Sequence, residues 1–591
     1  MKKILLQFAA VMVCISLCMP AAFAARRNET MLQVGLAFSG SLETGALTAA
    51  NLENNTGYGA GYRFGYFDDD LDFVELGYTS KRETAITVLR ASEIYLSGST
   101  YSTSRPSGKY QTIGCYHVVL GSYRDFEDAL DEAEQYDDGF VAWIDGEYQV
   151  REGAYTTLNE AREACDRLDG EDVKGTSSYA VNVVETGSAH ILFQFDGGSS
   201  LALGIMPDVT GADDVRTWFK GYRYHGGFRY ERIGGGDLTV VNIVEMETYV
   251  AGLLPYEMKN TWPMEALKAQ AVCARSYAYN KIKENSHSSS HFDICNTEDC
   301  QVYHGLGVAN NTDYQANERT DQAVEETAGI YALYQGEPII AYYSSSHGGG
   351  SERIDNVWNT KYLPYLCGVV DPYEEKAASI NYYSSWTVTT TASQILQRLQ
   401  ANNYGQGNAI DCLELTYSPT GNVIQVRVIY TNRKSNTFTP KMSFGVRSLF
   451  GGLKSLHFTV NGQGASSGSA VTSSSGSIKV NETSTLEADQ RVYTISGSGN
   501  TSRVDVDDLY TISDSGRIDE LEAVSSGSAG SGTPTNTVVT VSGSTFVLEG
   551  SGNGHNLGMS QYGAYAMAQE GFTYDEIVEF YYPGVRVAEY D

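Results

Sequence analysis

A doubled pattern constrains the fold more than any other feature of this sequence. Each copy has a strand-like run, a predicted Gly-small-Tyr turn at the end of that run, then a helical run, then a second strand-like run. The predicted elements are 116–123, 126–136 and 140–144 in the first copy, and 148–155, 158–168 and 179–184 in the second. Because the helix and both strands recur together with Gly-x-Tyr, the copies predict one small domain with a sheet on one side and two helices on the other.

The chain of 591 residues is long enough for several domains. Residues 31–80 show short apolar alternations broken by Gly, Asn and Thr, which predict strands and turns. Residues 95–110 are rich in Ser, Thr, Gly and Tyr and predict a linker. The stretch 462–543 is crowded with Ser, Gly and Thr and predicts a flexible insertion. We therefore expect an α+β multidomain protein.

The N-terminus has the layout of a secretory signal peptide. Lys2 and Lys3 precede an apolar stretch at 4–20, and Ala22-Phe-Ala24 supplies small residues for cleavage. A retained membrane anchor is the alternative, although the apolar core is shorter than the ~20 residues that a spanning helix needs. We expect the mature protein to be secreted or bound at the cell surface.

Charge and cysteine content narrow the range of partners. The formal net charge of -31 disfavours nucleic acid and anionic membranes but is compatible with a neutral polysaccharide. Of nine cysteines, Cys14 and Cys18 lie in the predicted signal peptide. The rest are odd in number and thinly spread, so we expect no disulfide framework and at least one free thiol.

One predicted helix and the turn before it contain the candidate catalytic residues. Pro263 suits the first turn of a helix, and strong helix formers then continue to Glu284. Lys268 and Arg275 are seven residues apart and so share one face of this helix. Glu257 lies just upstream in a predicted turn, where the helix dipole favours its charged form and apolar neighbours oppose it. By spacing alone, Glu257 is an ordinary carboxylate near a helix start and the two basic residues are solvated charges.

The same segment resembles the core motif of the stage II sporulation protein D family (SpoIID/LytB). Positions 242–275 contain, in family order, Asn-x-Val, Glu-x-Tyr-x-x-Gly-x-x-Pro-x-Glu-Met and Trp-Pro-x-Glu-Ala-Leu-Lys-Ala-Gln-Ala-Val-x-Ala-Arg. Two further blocks are similar to family segments: Tyr-Ser-Ser-Ser-His-Gly-Gly-Gly-Ser-Glu at 343–352, and Gly-His-Asn-Leu-Gly-Met-Ser-Gln-Tyr-Gly-Ala at 554–564, where Asn556 replaces a glycine. The resemblance covers about 190–462 and 544–591.

This resemblance implies a lytic transglycosylase that cleaves between MurNAc and GlcNAc in denuded glycan strands, in sporulation or wall remodelling. It implies that Glu257 is the catalytic acid/base and that Lys268 and Arg275 orient Glu257 or stabilise its anion. One carboxylate is enough, because the C6 hydroxyl of the same sugar closes an anhydro ring in place of water. The residues implied to bind substrate are His555, Gln561, Tyr342, Tyr343 and Tyr365.

Residues 114–186 resemble the SPOR domain, a peptidoglycan-binding module that carries the same doubled pattern. That resemblance implies binding to glycan strands that lack stem peptides. Tyr123, Tyr148 and Tyr155 are then candidates for stacking on sugar rings, and the alternative is that these tyrosines only pack the sheet.

Cys295 and Cys300 lie in a segment that, by resemblance, usually has His before the second Cys, and Asp299 occupies that place here. Some relatives bind zinc through this cluster, and His287 and His291 are nearby in the sequence. A disulfide, a zinc site and free thiols all remain open. Any metal here is expected to be structural, since the implied catalysis requires no cofactor.

The predicted divisions are a signal peptide at 1–24, a β-rich region and linker at 25–113, a SPOR-like domain at 114–186, a catalytic domain at 187–462 and 544–591, and a Ser/Gly-rich insertion at 463–543. The expected partners are peptidoglycan glycan strands and other wall hydrolases such as an amidase. The alternative function is a non-enzymatic, glycan-binding activator of an N-acetylmuramoyl-alanine amidase, as described for the LytB branch. A surface adhesion protein is disfavoured by the blocks of catalytic type, and a zinc peptidase by the lack of a His-Glu-x-x-His motif.

Overall fold

The computed structural model describes residues 30–464 and 536–590, apart from 42, 55–60, 81–82, 209–214 and 308–314, and it describes only the backbone of short strands between 465 and 535. The predicted signal peptide lies outside the described residues. Among the described helices, none combines the length and the apolarity needed to cross a membrane.

The chain forms two compact α+β units, as the predicted fold class requires. The first contains the described residues up to Ala341 together with Gly571–Glu579 and 585–590, and the second contains Tyr342–Glu570 and Phe580–Gly584. The α-helices in the described residues are α1 (Phe126–Ala133), α2 (Leu158–Leu168), α3 (Met246–Glu257), α4 (Met264–Glu284), α5 (Glu318–Glu325), α6 (Ile354–Val357), α7 (Ala392–Ala401), α8 (Val446–Leu449), α9 (Gln561–Gln569) and α10 (Tyr574–Tyr581).

Two large sheets dominate the first unit, and two three-stranded sheets accompany them. In spatial order, the seven-stranded sheet is Ile294–Cys295, Met31–Ala37, Thr239–Glu245, Gly227–Glu231, Leu203–Pro207, Tyr62–Phe67, Phe73–Tyr78. The ten-stranded sheet is Asp172–Gly175, Tyr116–Tyr123, Glu147–Tyr155, Gly139–Ile144, Ile191–Asp196, Val181–Glu185, Ala85–Arg90, Ala49–Glu53, Thr217–Phe219, Tyr222–Tyr224. The small sheets are Thr100–Ser102, Ile94–Ser97, Gln111–Ile113, and Glu337–Pro338, Ile330–Tyr334, Arg586–Glu589.

The doubled pattern folds into strand, helix, strand, strand, helix, strand, and its four strands are ordered fourth, first, third, second across the sheet. The fourth strand is Asp172–Gly175, not the predicted 179–184. Val181–Glu185 is buried on both faces and therefore needs a neighbour on each side, which it finds in Ala85–Arg90 and Ile191–Asp196. The mostly exposed Asp172–Gly175 is suited to the sheet edge that it occupies.

The Gly-x-Tyr motifs lie inside strands, so their prediction as turns was wrong. Residues two apart on a strand share a face, and each tyrosine ring packs over the glycine before it. A Cβ atom on Gly121 would lie 3.2 Å from the Tyr123 ring, and one on Gly153 would lie 2.4 Å from the Tyr155 ring. At Gly153 a side chain would collide with the ring, whereas at Gly121 it would be only slightly too close.

The predicted linker at 95–110 is also partly structured. Ile94 and Leu96 alternate with more exposed residues on one strand, and with Ile113 they are almost fully buried. Ile94 and Ile113 join a core that includes Leu89 and Phe140. The Ser/Thr-rich composition concealed this alternation, because the exposed positions dominate the count.

Apart from three two-stranded hairpins, the described residues of the second unit form three sheets, and part of the predicted insertion belongs to one of them. The sheets are Ser435–Phe438, Val423–Tyr430, Ile410–Tyr417, Thr537–Ser542; Trp386–Thr391, Thr545–Gly550, Phe458–Val460; and Tyr343–Ser344, Met559–Ser560. Within 463–543 three two-stranded hairpins are described, Ser477–Val480 with Ser484–Glu487, Arg491–Ile495 with Thr501–Asp505, and Tyr510–Ile512 with Ile518–Glu520. Thr537–Ser542 is an edge strand of the four-stranded sheet and pairs with Ile410–Tyr417.

The predicted helix from Pro263 to Glu284 is confirmed as α4, with Pro263 immediately before its first residue. A mostly small-residue face of α4, which includes Leu267, Ala271 and Ala274, is buried. This face lets α4 pack closely against α3 and α5, because small side chains allow helices to approach each other.

We expect Gly153→Ala to lower the free energy of unfolding by about 1–3 kcal/mol, since Gly153 has a φ of +73° and its new Cβ would collide with the Tyr155 ring. Gly121→Ala is the matched control, because its φ is not positive and its Cβ is only slightly too close to Tyr123. Urea denaturation followed by fluorescence measures both. Equal losses in the two variants would contradict this account of the motif.

Candidate active site

Glu257 is the last residue of α3 and is half-buried, so its prediction as part of a turn at a helix start was wrong. The helix dipole disfavours a negative charge at this end instead of favouring it. Pro255 suggested a turn, yet it lies inside α3 near the C-terminus. Burial of Leu253 and Leu254 against the neighbouring elements outweighs the lost backbone hydrogen bond.

Tyr256, the residue before Glu257 in the chain, belongs to a row of aromatic rings, and sequence reasoning missed most of it. Tyr256 and His304 meet edge to face with ring centres 4.9 Å apart, and Tyr222 stacks on His304 at 4.3 Å. Burial raises the pKa of Tyr256 to about 12 and lowers the pKa of His304. Only Tyr256 belongs to a recognisable motif, so the row could not be seen in the sequence.

The Nδ1 atom of His304 is buried and has no hydrogen-bond partner among the described residues. A buried nitrogen without a partner is costly unless a ligand or water satisfies it. A sugar presents flat apolar faces and hydroxyl groups. The three half-buried rings can stack on such a face, and the His304 Nδ1 atom can form a hydrogen bond with a hydroxyl group. This surface and Glu257 form the candidate active site within the first unit.

Arg275 is fully buried and pairs with Glu247, not with Glu257. Its Nε and Nη2 atoms lie 2.8 Å and 2.5 Å from the two carboxylate oxygens of Glu247, and its Nη1 atom donates to the Ile330 carbonyl at 3.1 Å. This two-point contact joins α4 to the first turn of α3. Arg275 is therefore not a solvated charge, and its described contacts are structural.

Lys268 is likewise paired with other carboxylates. Its Nζ atom lies 3.0 Å from Glu265 and 2.6 Å from Glu326, and 5.8 Å from the centre of the Tyr574 ring. Burial alone would lower the pKa of Lys268, but the hydrogen bonds to Glu326 and Glu265 outweigh it, so that the pKa is raised. A role for Lys268 and Arg275 in orienting Glu257 stays a prediction.

The second unit brings together three of the predicted substrate-binding residues. The His555 ring lies 6.3 Å from Tyr342 and 5.2 Å from Trp358, and Tyr343 pairs with Met559 on the neighbouring strand. Burial lowers the pKa of His555 to about 4, so the ring is neutral at pH 7, and its Nδ1 accepts the Leu557 N–H at 3.0 Å. Of the other two predicted residues, Gln561 is buried at the start of α9 and Tyr365 is half-buried in a loop.

The conserved-looking block at 343–352 is organised around a buried carboxylate that motif reasoning missed. Glu374 accepts hydrogen bonds from the His347 and Gly348 N–H groups at 2.7 Å and 2.8 Å, and from the Ser560 hydroxyl at 2.7 Å. Asn556 has a φ of +63°, which confirms that asparagine tolerates the conformation of the glycine that it replaces. Its side-chain amide also donates to the His347 carbonyl at 2.8 Å.

His287, Cys295 and Cys300 form a candidate metal centre in the first unit. Their ligand atoms all lie within 4.8 Å of one another, and His287 Nε2 is 3.1 Å from Cys300 Sγ. Both cysteines are free thiols in the structure, and a hydrogen bond from Cys300 lowers the pKa of Cys295 to about 4. His291 instead pairs with Glu231 at 2.6 Å. Two sulfurs and one imidazole supply three of the four donors of a structural zinc site.

The three tyrosines of the SPOR-like region differ in their surroundings. The Tyr148 hydroxyl donates to the Leu76 carbonyl at 2.8 Å, and the Tyr155 hydroxyl donates to Glu152 at 2.7 Å. Tyr123 is half-buried, it pairs with Tyr148 on the neighbouring strand, and its ring lies over Gly121. Tyr148 thus has a packing role, while stacking of Tyr123 and Tyr155 on sugars stays a prediction.

We expect Glu247→Gln to lower the free energy of unfolding by about 1–3 kcal/mol, because the fully buried Arg275 would lose the charge that compensates it, while the 38% exposure of the Glu247 side chain weakens the pair. Glu326→Gln is the control, since Glu326 is largely exposed and its pair with Lys268 contributes within about 1 kcal/mol. Thermal and urea unfolding compare the two variants. A loss in Glu247→Gln no larger than that in Glu326→Gln would show that the buried pair is not a structural tie.

Comparison with known proteins supports the family that the sequence motifs indicate. Residues 234–334 match the family model described as Stage II sporulation protein (SpoIID). An uncharacterized protein of Brachyspira hyodysenteriae is 30% identical over 355 residues, which cover 60% of this chain and 69% of that protein. The amidase enhancer of Bacillus subtilis is 28% identical (57% of this chain, 40% of that protein), and stage II sporulation protein D of Bacillus subtilis is 25% identical (59% and 76%).

The matched region of the chain spans less than half of the amidase enhancer but about three quarters of stage II sporulation protein D. The family-model match contains Glu257, Lys268, Arg275 and the candidate metal centre. From the ordered motifs, the family-model match and the similarity over most of the Brachyspira protein, we conclude that this chain belongs to the stage II sporulation protein (SpoIID) family.

Proposed function

We propose that this protein is an exported lytic transglycosylase that cleaves between MurNAc and GlcNAc in glycan strands without stem peptides. The observation that carries the proposal is that Glu257, a half-buried residue at a helix end, directly follows Tyr256, which belongs to the aromatic row with His304 and Tyr222. The rings provide stacking surfaces on which a sugar can be held while the carboxylate acts on it.

One carboxyl group can perform both proton transfers. Protonated Glu257 gives its proton to the glycosidic oxygen while the bond from that oxygen to the MurNAc anomeric carbon breaks. The resulting carboxylate then takes the proton of the MurNAc C6 hydroxyl, whose oxygen bonds to the anomeric carbon. The products are an anhydro-MurNAc end and a free GlcNAc hydroxyl, and Glu257 is protonated again.

Arg275 pairs with Glu247, and Lys268 pairs with Glu265 and Glu326, so these contacts join α3, α4 and the residue that follows α5. In this proposal Lys268 and Arg275 act as positioning residues, by fixing α3 against α4 and α5.

The SPOR-like region and export complete the proposal. The strand order of the doubled pattern supports a glycan-binding module, with Tyr123 and Tyr155 as stacking candidates. The predicted signal peptide supports action in the cell wall. A second candidate function is favoured by the similarity to the amidase enhancer: the chain binds wall glycan and stimulates an amidase.

We expect Glu257→Gln to lower the rate of glycan cleavage by a factor of about 100 or more, because the amide can neither donate nor accept the proton. Mass spectrometry of denuded glycan treated with the purified full-length chain measures anhydro ends. Glu284→Gln, which removes an exposed carboxylate at the end of α4, is the matched control and should retain activity. If wild type yields no anhydro ends but accelerates a partner amidase, the activator function replaces the enzymatic one.

We also propose that His287, Cys295 and Cys300 hold a structural zinc ion. The cluster lies on an apolar core that includes Phe38, and the His287 ring stacks on Phe292, so a metal there would tie the 287–300 segment to the sheet. Zinc bound to these three side chains would crosslink the segment and would take no part in the reaction.

Elemental analysis of the purified protein should find about one zinc per chain, and Cys295→Ser with Cys300→Ser should remove the zinc and lower the melting temperature. Cys412→Ser, which changes a free thiol elsewhere, is the control. Metal-free protein whose mass shows an oxidised Cys295–Cys300 pair would overturn the zinc proposal in favour of a disulfide.

A further inference from the structure

A cationic pocket lies within the second unit of this acidic protein. It encloses about 420 Å³, and its wall includes Trp358, Arg447, Lys454 and His555. No Asp or Glu is among the residues that line it, although Asp and Glu outnumber Lys and Arg by 72 to 41 in the whole chain. A pocket of this volume accommodates a sugar residue.

Arg447 is held in place by backbone groups and has charge left for a ligand. Its Nε atom donates to the Leu453 carbonyl at 2.5 Å, and its Nη1 atom donates to the Gly554 carbonyl at 3.3 Å. No ion pair joins Arg447 to a carboxylate among the described residues. The surrounding protein lowers the pKa of Arg447 by burial, with no nearby acid to offset it. A guanidinium fixed in this way can present its remaining N–H groups to an anion.

Lys454 and Trp358 supply a second charge and a flat surface. The Lys454 ammonium lies 5.4 Å from the centre of the Tyr383 ring and has no described ion pair with a carboxylate. Trp358 is half-buried, and its ring is packed against Tyr342 at 4.7 Å and against His555 at 5.2 Å. The indole is therefore rigid, which suits stacking on a sugar ring.

We propose that this pocket binds MurNAc through its free lactyl carboxylate, with Arg447 and Lys454 pairing with the carboxylate and Trp358 contacting the sugar. The proposal deepens the proposed function and rests on it, because it names how the protein distinguishes glycan strands without stem peptides. When a stem peptide is attached, the lactyl group is a neutral amide. Hydrolysis of that amide leaves a carboxylate, so removal of the peptide creates the negative charge that the pocket recognises.

The choice of a carboxylate over a neutral sugar follows from charge. A neutral GlcNAc would leave the two cations of the pocket without a counter-charge, whereas a carboxylate gains charge-assisted hydrogen bonds from both. The same chemistry has another source in the wall, the terminal carboxylate of a stem peptide. Binding experiments with defined fragments separate the two sources.

Calorimetric titration of the full-length chain tests the proposal, with Glu257→Gln as background so that substrate is not consumed. The ligands are a GlcNAc–MurNAc tetrasaccharide with free lactyl carboxylates, the same tetrasaccharide with its lactyl groups as methylamides, and the tetrasaccharide with stem peptides. We expect the free acid to bind about tenfold or more tightly than the methylamide. Lys454→Gln and Arg447→Gln should each remove most of this difference.

Lys434→Gln is the control, because it removes an exposed positive charge of the same unit that does not line the pocket and should leave the difference intact. Lys454 makes no described side-chain hydrogen bond, so Lys454→Gln remains informative even if Arg447→Gln unfolds α8. The melting temperature reports such unfolding. Equal binding of acid and methylamide, or tighter binding of the peptide-bearing form, overturns the proposal.

The outcome is separable from that of the proposed function. A carboxylate preference without cleavage by the wild-type chain would contradict the transglycosylase and support the pocket. Cleavage that yields anhydro ends, without any carboxylate preference, would support the transglycosylase and contradict the pocket.

Discussion

The contact between Arg275 and Glu247 is the constraint on which the candidate active site depends. A fully buried guanidinium is costly to desolvate, and here one carboxylate and one backbone carbonyl satisfy it from two directions. Glu247 also accepts the Gly329 N–H at 3.2 Å, so the pair joins α3, α4 and the strand Ile330–Tyr334. Since Glu257 is at the far end of α3, this tie fixes the direction in which its helix runs.

Local patterns in the sequence predicted local structure well. Helix α2 was predicted with its observed bounds, and α4 within one residue, because both have uninterrupted helix formers and clear end signals. The same reasoning failed for Glu257, since Pro255 suggested a turn while burial of the surrounding apolar residues kept the chain helical. Gly-x-Tyr was misread for a related reason: its glycine accommodates a ring and does not reverse the chain.

The candidate active site and the cationic pocket are built from contacts between residues that are far apart in the sequence, and no local pattern reveals such contacts. Glu326 is 58 positions from Lys268, and Trp358 and His555, which share the cationic pocket, are almost two hundred positions apart. Family resemblance located Glu257, His555 and the two cysteines, but it carried no information on which acids pair with which bases. The structure adds that Lys268 and Arg275 pair with carboxylates on α3, on α4 and after α5, while their role in orienting Glu257 stays a prediction.

The strand Arg586–Glu589 pairs with Ile330–Tyr334 in the first unit, although the whole second unit lies between them in the sequence. During synthesis, therefore, the ribosome must complete the second unit before the first can acquire its final strand. Until then Ile330–Tyr334 has one edge without its native neighbour, and an unpaired edge readily joins strands of other chains. The timing of synthesis thus gives the unfinished first unit a period of vulnerability to aggregation that a contiguous domain would avoid.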